Sequence, residues 1–216
     1  MLGLEHHGII SARALLLELD QDVDACLTGD PCPDDVNTDA TRIARDLETS
    51  LSLLPGFNKA CDAARSFASS VTRPVYSREL QGGKNFTLSL LGIHPESRIP
   101  VHDHPGMLAL LYVIEGRVHA PQYDIVGHRE RHAFVELASR SENVLESGDA
   151  VVAMPATGNL HSLQALDNNA VCLTLHLHLQ QEREPRSWYF PLASNQYESS
   201  SALWYRKQDK EISNGI

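Results

Sequence analysis

The sequence contains few cysteines, and their spacing points to neither a metal site nor a disulfide framework. Cys26, Cys32, Cys61 and Cys172 are scattered through 216 residues without a CxxC pair. A thiolate zinc site and a disulfide-stapled secreted domain are therefore both disfavoured. We expect free thiols, as in a reducing compartment.

Long apolar runs are also missing. No stretch approaches the ~20 consecutive apolar residues that a membrane-spanning helix needs. The first residues, MLGLEHHGII, lack the basic region and the long apolar region of a signal peptide. We therefore expect a cytoplasmic protein that makes no membrane contact.

Basic residues are in deficit, with 18 Lys and Arg against 28 Asp and Glu, a formal net charge of −10. Such a surface repels nucleic-acid and anionic lipid phosphates, so no nucleic-acid partner is expected. The GxGxxG, GxxxxGK, HExxH and GxSxG motifs are absent as well. Dinucleotide binding, P-loop chemistry, zinc proteolysis and serine hydrolysis therefore have no support from motifs.

The N-terminal segment 1–73 predicts a layer of helices. A first helix begins at Ser11 and runs to about Leu27, where a proline-rich break follows. A second begins near residues 37–39 and ends before Pro55, and a third covers residues 59–69. We expect these helices to pack on the rest of the domain.

From residue 74 the pattern changes to short apolar runs separated by turn residues, which predicts strands of a sandwich or barrel. The predicted strands are FTLSLLGI, RIPVH, MLALLYVIEG, VHAPQYDIV, HAFVELA, AVVAM, LHSLQAL and VCLTLHLHL. The chain is thus divided into a helical segment (1–73), a barrel (74–192) and a C-terminal extension (193–216).

Eleven histidines are present, and two of them alternate in a strand-like run. His102 and His104 flank Asp103, and alternate residues of a strand lie on one face about 6.6 Å apart. Two neutral imidazoles on one face suit a divalent first-row metal. Two solvated surface histidines would give the same pattern, so the pair alone is a weak signal.

The residues around this pair resemble the two signature motifs of the cupin superfamily. The matching positions are His102, His104, Ala109, Gly116, Gly148, Pro155, Gly158 and His161, with one extra residue between Gly148 and Pro155. The resemblance implies a mainly β fold, a double-stranded β-helix or jelly-roll barrel with the helical layer beside it. It also implies that His102, His104 and His161 bind a metal.

Ala109 stands where most cupins carry a glutamate ligand. Three neutral histidines leave the charge of a divalent metal uncompensated, so the substrate must supply an anion. A thiol fits this need, because metal binding depresses the pKa of a thiol and yields a soft anionic ligand.

The cupins that lack this glutamate include the thiol dioxygenases, and several segments resemble theirs. VYSRELQGGKNFTLSLLGI is similar to a cysteine dioxygenase segment, which implies that Arg78 and Tyr76 bind the substrate carboxylate. SRIPVHDHPGM is similar to the metal-binding strand, and its PGM ending looks more like the cysteamine and N-terminal-cysteine dioxygenases. LTLHLHL resembles a hydrogen-bonded relay, which implies catalytic roles for Thr174 and His176. His178 stands there in place of the family's tyrosine.

The resemblance implies an Fe(II)-dependent oxidation of a small thiol by O2 to its sulfinic acid, with L-cysteine as the preferred substrate. 3-Mercaptopropionate and cysteamine are alternatives. A non-oxidative cupin, either an isomerase or a ligand sensor, is the rival from another class. Three imidazoles also suit zinc, nickel or copper. The oligomeric state is left open by the sequence.

Overall fold

The computed structural model describes residues 33–68, 75–82, 86–129, 134–155, 158–166, 168–178, 186–193 and 196–200. The helix predicted from Ser11 lies outside these residues, as do Cys26 and Cys32. Cys61 and Cys172 are buried and form no disulfide within the described part of the chain. No helix among the described residues is both long enough and apolar enough to cross a membrane.

Two helices precede the strands. Helix α1 spans Pro33–Ser52 and helix α2 spans Pro55–Ala68, which confirms the second and third predicted helices. Each begins at a proline, earlier than the sequence analysis placed it. Proline suits the first helical position, because its φ is preset and the N–H it lacks has no intrahelical partner there.

Strands make up most of the remaining described chain. They are β1 Val75–Gly82, β2 Phe86–Ile93, β3 Arg98–His102, β4 Met107–Glu115, β5 Arg117–His119, β6 Gln122–Arg129, β7 Phe134–Ser141, β8 Val144–Glu146, β9 Ala150–Ala153, β10 Leu160–Ala165, β11 Ala170–His178, β12 Trp188–Ala193 and β13 Gln196–Ser200. The bounds of β2 and β3 agree with the predicted runs. The run VHAPQYDIV is divided between β5 and β6, because Pro121 has no N–H to continue a ladder.

The strands form two sheets that face each other. One has the order β1-β2-β11-β4-β9, and the other has the order β3-β12-β13-β7-β6-β10-β5-β8, with a further pairing between β3 and β10. All pairings in both sheets are antiparallel. This is the mainly β, double-stranded β-helix barrel that the sequence predicts.

The helices cover the outer face of the five-stranded sheet. Leu47 of α1 and Ala64 of α2 are buried in one apolar cluster with outward-facing leucines of β2, β4 and β11. A Cβ added at Gly92 on β2 would lie 2.7 Å from the backbone oxygen of Ala64. Glycine therefore allows α2 to approach the sheet closely, and the helical layer expected from the sequence is present.

The C-terminal part of the described chain joins the larger sheet. Strand β12 pairs with β3, placing Trp188 opposite His102, and β13 pairs with both β12 and β7. Residues 196–200 were assigned by sequence to an extension beyond the barrel, yet they form strand β13. The division of the chain at residues 73 and 192 stays a prediction.

Candidate metal centre

A cavity of about 190 Å³ lies between the two sheets. Its walls are mostly apolar, with a polar group at one end. The lining residues are Val75, Ser77, Ser89, Leu91, Ile99, His102, His104, Ala109, Leu110, Leu111, His161, Leu163, Thr174, His176, Arg186 and Trp188. A largely apolar pocket with a few convergent polar groups is the usual form of a small-molecule site.

Three buried histidines converge at the polar end of this cavity. His102 ends β3 and lies opposite His161 of β10, while His104 lies in the turn after β3. The Nε2 atom of His161 is 3.2 Å from Nε2 of His104 and 3.2 Å from Nε2 of His102. The candidate ligand atoms all lie within 4.8 Å of one another.

This spacing fits a bound metal. Nitrogens bonded at about 2.1 Å to one ion, at angles between octahedral and tetrahedral, are separated by about 3.0 to 3.4 Å. The sequence prediction that these three histidines come together is met by the geometry, and a metal cofactor is implied.

Burial keeps the three imidazoles neutral. It lowers the pKa of His161 to about 3 and holds the pKa values of His102 and His104 well below the usual range. Only neutral imidazole has a lone pair for a metal. The ring Nδ1 of His102 donates to the carbonyl of Pro100 at 2.9 Å, which leaves the lone pair on Nε2, the atom that faces the other two rings.

The backbone at His104 is held by the loop before β10. Its N–H donates to Asn159 Oδ1 at 2.8 Å. The adjacent Gly158 has a φ of 60°, which favours glycine, and its N–H donates to Asp124 Oδ1 at 2.8 Å. The buried amide of Gln122 donates to the carbonyl of Gly158 at 3.2 Å. These contacts hold His104 beside Gly158 and Asn159, the residues that lead into β10 and His161.

The predicted relay residues lie on the inner face of β11, but they do not all reach the cavity. Thr174 and His176 line it, and the His176 ring stacks on His104 with a centroid distance of 4.8 Å. Burial lowers the pKa of His176 to about 3. His178 lies further along the strand, where its Nε2 is 3.2 Å from Thr87 Oγ1. The cavity thus brings together two of the three residues.

Tyr76 and Arg78, which the sequence resemblance assigns to binding the substrate carboxylate, lie outside the cavity. On β1, Val75 and Ser77 line the cavity, so the alternate residues Tyr76 and Arg78 lie on the other face. The Tyr76 ring packs against Phe67 of α2 at a centroid distance of 5.4 Å, and Arg78 is exposed. Neither residue is among those that line the described cavity, because strand alternation places both on the opposite face of β1. Their substrate-binding role stays a prediction.

Arg186 lines the cavity instead, and no sequence pattern pointed to it. Its Nη2 lies 3.0 Å from His104 Nδ1. The residue precedes β12 and reaches the site because β12 returns along β3, with Trp188 opposite His102. A pairing between strands this far apart in sequence leaves no local spacing signal, so only the fold reveals the residue.

The position of the usual cupin glutamate is apolar, as the sequence indicates. Ala109 of β4 is buried in the cavity wall opposite His176 of β11. No carboxylate lines the cavity among the residues that the structure describes. The site can therefore offer a metal three neutral nitrogens, and no described lining residue supplies a balancing anion.

The barrel and the histidine triad together define a metal-binding cupin. The family model PCO_ADO, which covers cupins related to cysteamine and cysteine dioxygenases, matches residues 33–203. The chain belongs to this family.

Curated relatives carry related names. The chain is 28% identical to a probable 2-aminoethanethiol dioxygenase of Dictyostelium discoideum, over 48% of this chain and 49% of the relative. It is 31% identical to the 2-aminoethanethiol dioxygenase of Mus musculus, over 47% of this chain and 48% of the relative. The chain thus spans about half the length of the curated relatives it matches.

Among solved structures, a Klebsiella pneumoniae protein with a double-stranded β-helix domain is 13% identical. The match covers 55% of this chain and 82% of that chain, with a TM-score of 0.42. A score this low carries no argument about function.

Proposed function

We propose that this protein is an iron-dependent thiol dioxygenase that oxidises a small thiol with O2 to a sulfinic acid. The observation that carries the proposal is the set of three neutral imidazoles converging in a cavity without a carboxylate among its described lining residues. A divalent metal held only by neutral nitrogens keeps its full charge and attracts anionic ligands, and a thiolate is one. The names of the curated relatives support the same reaction class.

The reaction is balanced without any further reactant. One thiol, RSH, and one O2 give one sulfinic acid, RSO2H, so sulfur is oxidised and dioxygen is reduced. Iron bound by His102, His104 and His161 supplies the Lewis acidity that ionises the thiol and the redox chemistry that dioxygen needs.

The protein groups orient the reactants. We assign His176, stacked on His104, to orienting the reactants beside the metal as a neutral hydrogen-bonding group, because it is the fourth imidazole among the described residues that line the cavity. The Thr174 hydroxyl, which donates to the backbone oxygen of Ser89 at 3.4 Å, offers a second polar group on the same wall. His178 does not line the cavity. In this proposal it supports the site indirectly, through its contact with Thr87.

Two classes of substrate are candidates: thiols that carry a carboxylate and thiols that lack one. L-Cysteine is the one preferred from sequence, with 3-mercaptopropionate close to it, and that preference depended on Arg78. 2-Aminoethanethiol, that is cysteamine, is favoured by the names of both curated relatives.

The test is anaerobic loading with Fe(II), followed by addition of O2 and one thiol at a time. Cysteine, 3-mercaptopropionate, cysteamine and a peptide with an N-terminal cysteine form the panel, and serine is the control without sulfur. We expect O2 uptake matched by sulfinate detected by mass spectrometry. Thiol binding without O2 uptake would contradict the proposal and would favour the ligand sensor.

A further inference from the structure

The cavity contains one permanently ionised side chain among the described residues that line it, and this is Arg186. The other polar groups among these lining residues are hydroxyls and imidazoles. A divalent metal would add further positive charge. An anion in this cavity is attracted from two directions, whereas an ammonium group finds no carboxylate among the described lining residues.

Arg186 is held in place but keeps free bonding capacity. Its Nη2 lies 3.0 Å from His104 Nδ1, and the guanidinium carbon lies 5.8 Å from the centre of the Trp188 ring. A guanidinium has five N–H donors in a planar fork that matches a carboxylate. Donors therefore remain for a ligand beside the candidate metal ligands.

Asp103, which lies between His102 and His104, forms hydrogen bonds with the residues that follow Arg186. Asp103 Oδ1 accepts from the N–H of Ser187 at 2.7 Å, and Oδ2 accepts from the hydroxyl of Tyr189 at 2.9 Å. The N–H of Asp103 donates to the carbonyl of Ser187 at 3.2 Å. Its carboxylate also attracts the guanidinium electrostatically. The residue between the two histidines thus holds the backbone next to Arg186 in place.

We infer that Arg186, positioned by Asp103, binds the carboxylate of the substrate, so that the site selects thiols that carry a carboxylate over cysteamine. The inference rests on the proposed thiol oxidation and names its substrate class. Carboxylate recognition moves from β1, where the sequence resemblance placed it, to the residue before β12.

The first experiment compares the wild type with Arg186→Gln and Arg186→Lys. Arg117→Gln is the matched control, because Arg117 is an exposed arginine paired with Glu146 at 3.4 Å outside the cavity. In Arg186→Gln, kcat/KM for 3-mercaptopropionate and cysteine should fall about 10- to 100-fold, mainly through KM, as expected for a lost charged hydrogen bond. Cysteamine turnover should stay the same or rise. Arg186→Lys should recover part of the loss, since lysine keeps the charge without the fork.

A second arm measures binding without turnover. Under anaerobic conditions, calorimetry of the metal-loaded protein should show that Arg186→Gln weakens the binding of 3-mercaptopropionate by the same factor and leaves cysteamine unaffected. Metal content is determined for every variant. Equal losses for both thiols, or loss of the metal from Arg186→Gln, would overturn the inference.

Asp103→Asn tests the positioning role. Asparagine keeps an acceptor for the Ser187 N–H but removes the charge that attracts Arg186. We expect a smaller shift in the same direction, about 3- to 10-fold, with the metal retained. Tyr189→Phe, which removes one bond to Asp103, should act similarly and more weakly. A loss shared equally by all thiols would show a merely structural role.

The two proposals fail in distinguishable ways. If the wild type consumes no O2 with any thiol, the proposed oxidation is wrong, and the calorimetric arm still decides whether Arg186 selects carboxylates. If the wild type oxidises cysteamine and the substrate ratio is unchanged by Arg186→Gln, thiol oxidation stands and the assignment of Arg186 is wrong.

Discussion

The two faces of strand β11 differ in what they contact. Leu173, Leu175 and Leu177 point toward the helices and are almost completely buried in the apolar cluster. Thr174 and His176 point the other way and line the cavity. Because a strand alternates its side chains, adjacent residues serve stability on one face and chemistry on the other. Substitutions of neighbours should therefore have separable effects.

The largest effect is expected on the cavity face at the metal centre. His161→Ala removes one of three convergent nitrogens, so the loss of metal affinity should exceed the about 10- to 100-fold cost of losing a supporting hydrogen bond. Metal retained after desalting and O2 uptake with thiol measure the result.

His119→Ala is the matched control. His119 pairs with Glu142 at 2.9 Å on the protein surface, away from the cavity. It should keep its metal and its activity. Full metal content in His161→Ala would exclude this residue from the metal site.

The buried histidines of the cavity should make the stability of the metal-free protein, prepared with a chelator, sensitive to acid. Burial lowers the pKa values of His161 and His176 to about 3, while unfolded histidine titrates near about 6.5. The unfolded state thus binds more protons below about pH 6.5, and stability is lost as the pH falls from there toward about 3. Each histidine contributes about 1.4 kcal/mol per pH unit.

Urea unfolding of chelator-treated protein at about pH 7.5 and about pH 5.5 measures this loss of stability. The variant His176→Asn should lose less stability than the wild type over the same interval. Equal free energies of unfolding for the wild type at both pH values would contradict neutral, buried imidazoles.

Substitutions on the helix-facing side of β11 should change the stability of the protein but leave metal binding and turnover unchanged. Leu175→Ala leaves a cavity in the cluster under the helices and should lower the free energy of unfolding by about 2 to 5 kcal/mol. Its metal content and turnover should match the wild type at a temperature where both are folded. A parallel loss of metal affinity would mean that the two faces are coupled.

The smallest effect is expected on β1 at Arg78. This exposed side chain lies on the face opposite Ser77, so Arg78→Ala should change the free energy of unfolding by less than about 0.5 kcal/mol. Its kcat/KM for cysteine should equal that of the wild type, in contrast to Arg186→Gln. A selective loss of cysteine turnover in Arg78→Ala would support the prediction from sequence that Arg78 binds the substrate carboxylate.

Much of the fold followed from local patterns. The runs that became β2 and β3 have turn residues on either side, so their ends were predictable. Helix starts were less predictable, because a proline at the first position competes with the polar caps further along. Strands β1, β8, β12 and β13 were not among the predicted runs. The segments WYFPLA and QYESS are short, and neither alternates clearly.

The candidate site divides in the same way. The alternation of His102 and His104 in a strand-like run was visible in the sequence, and the resemblance to cupins added His161 to the set. For Tyr76 and Arg78, the resemblance named the residues, and the face of β1 on which they lie places them outside the described cavity. Arg186 has no local signature, because its place depends on a strand pairing that joins distant parts of the chain.

The amino-acid sequence determined the helical layer, the strand-rich pattern and the His102–His104 pair, because the spacing of residues along one element is a local property. The resemblance to cupins added the barrel class and His161. Tertiary structure decided which arginine enters the cavity. That choice depends on which face of β1 turns inward and on how β12 returns beside β3. Both are set by burial over the whole barrel, which no single segment contains.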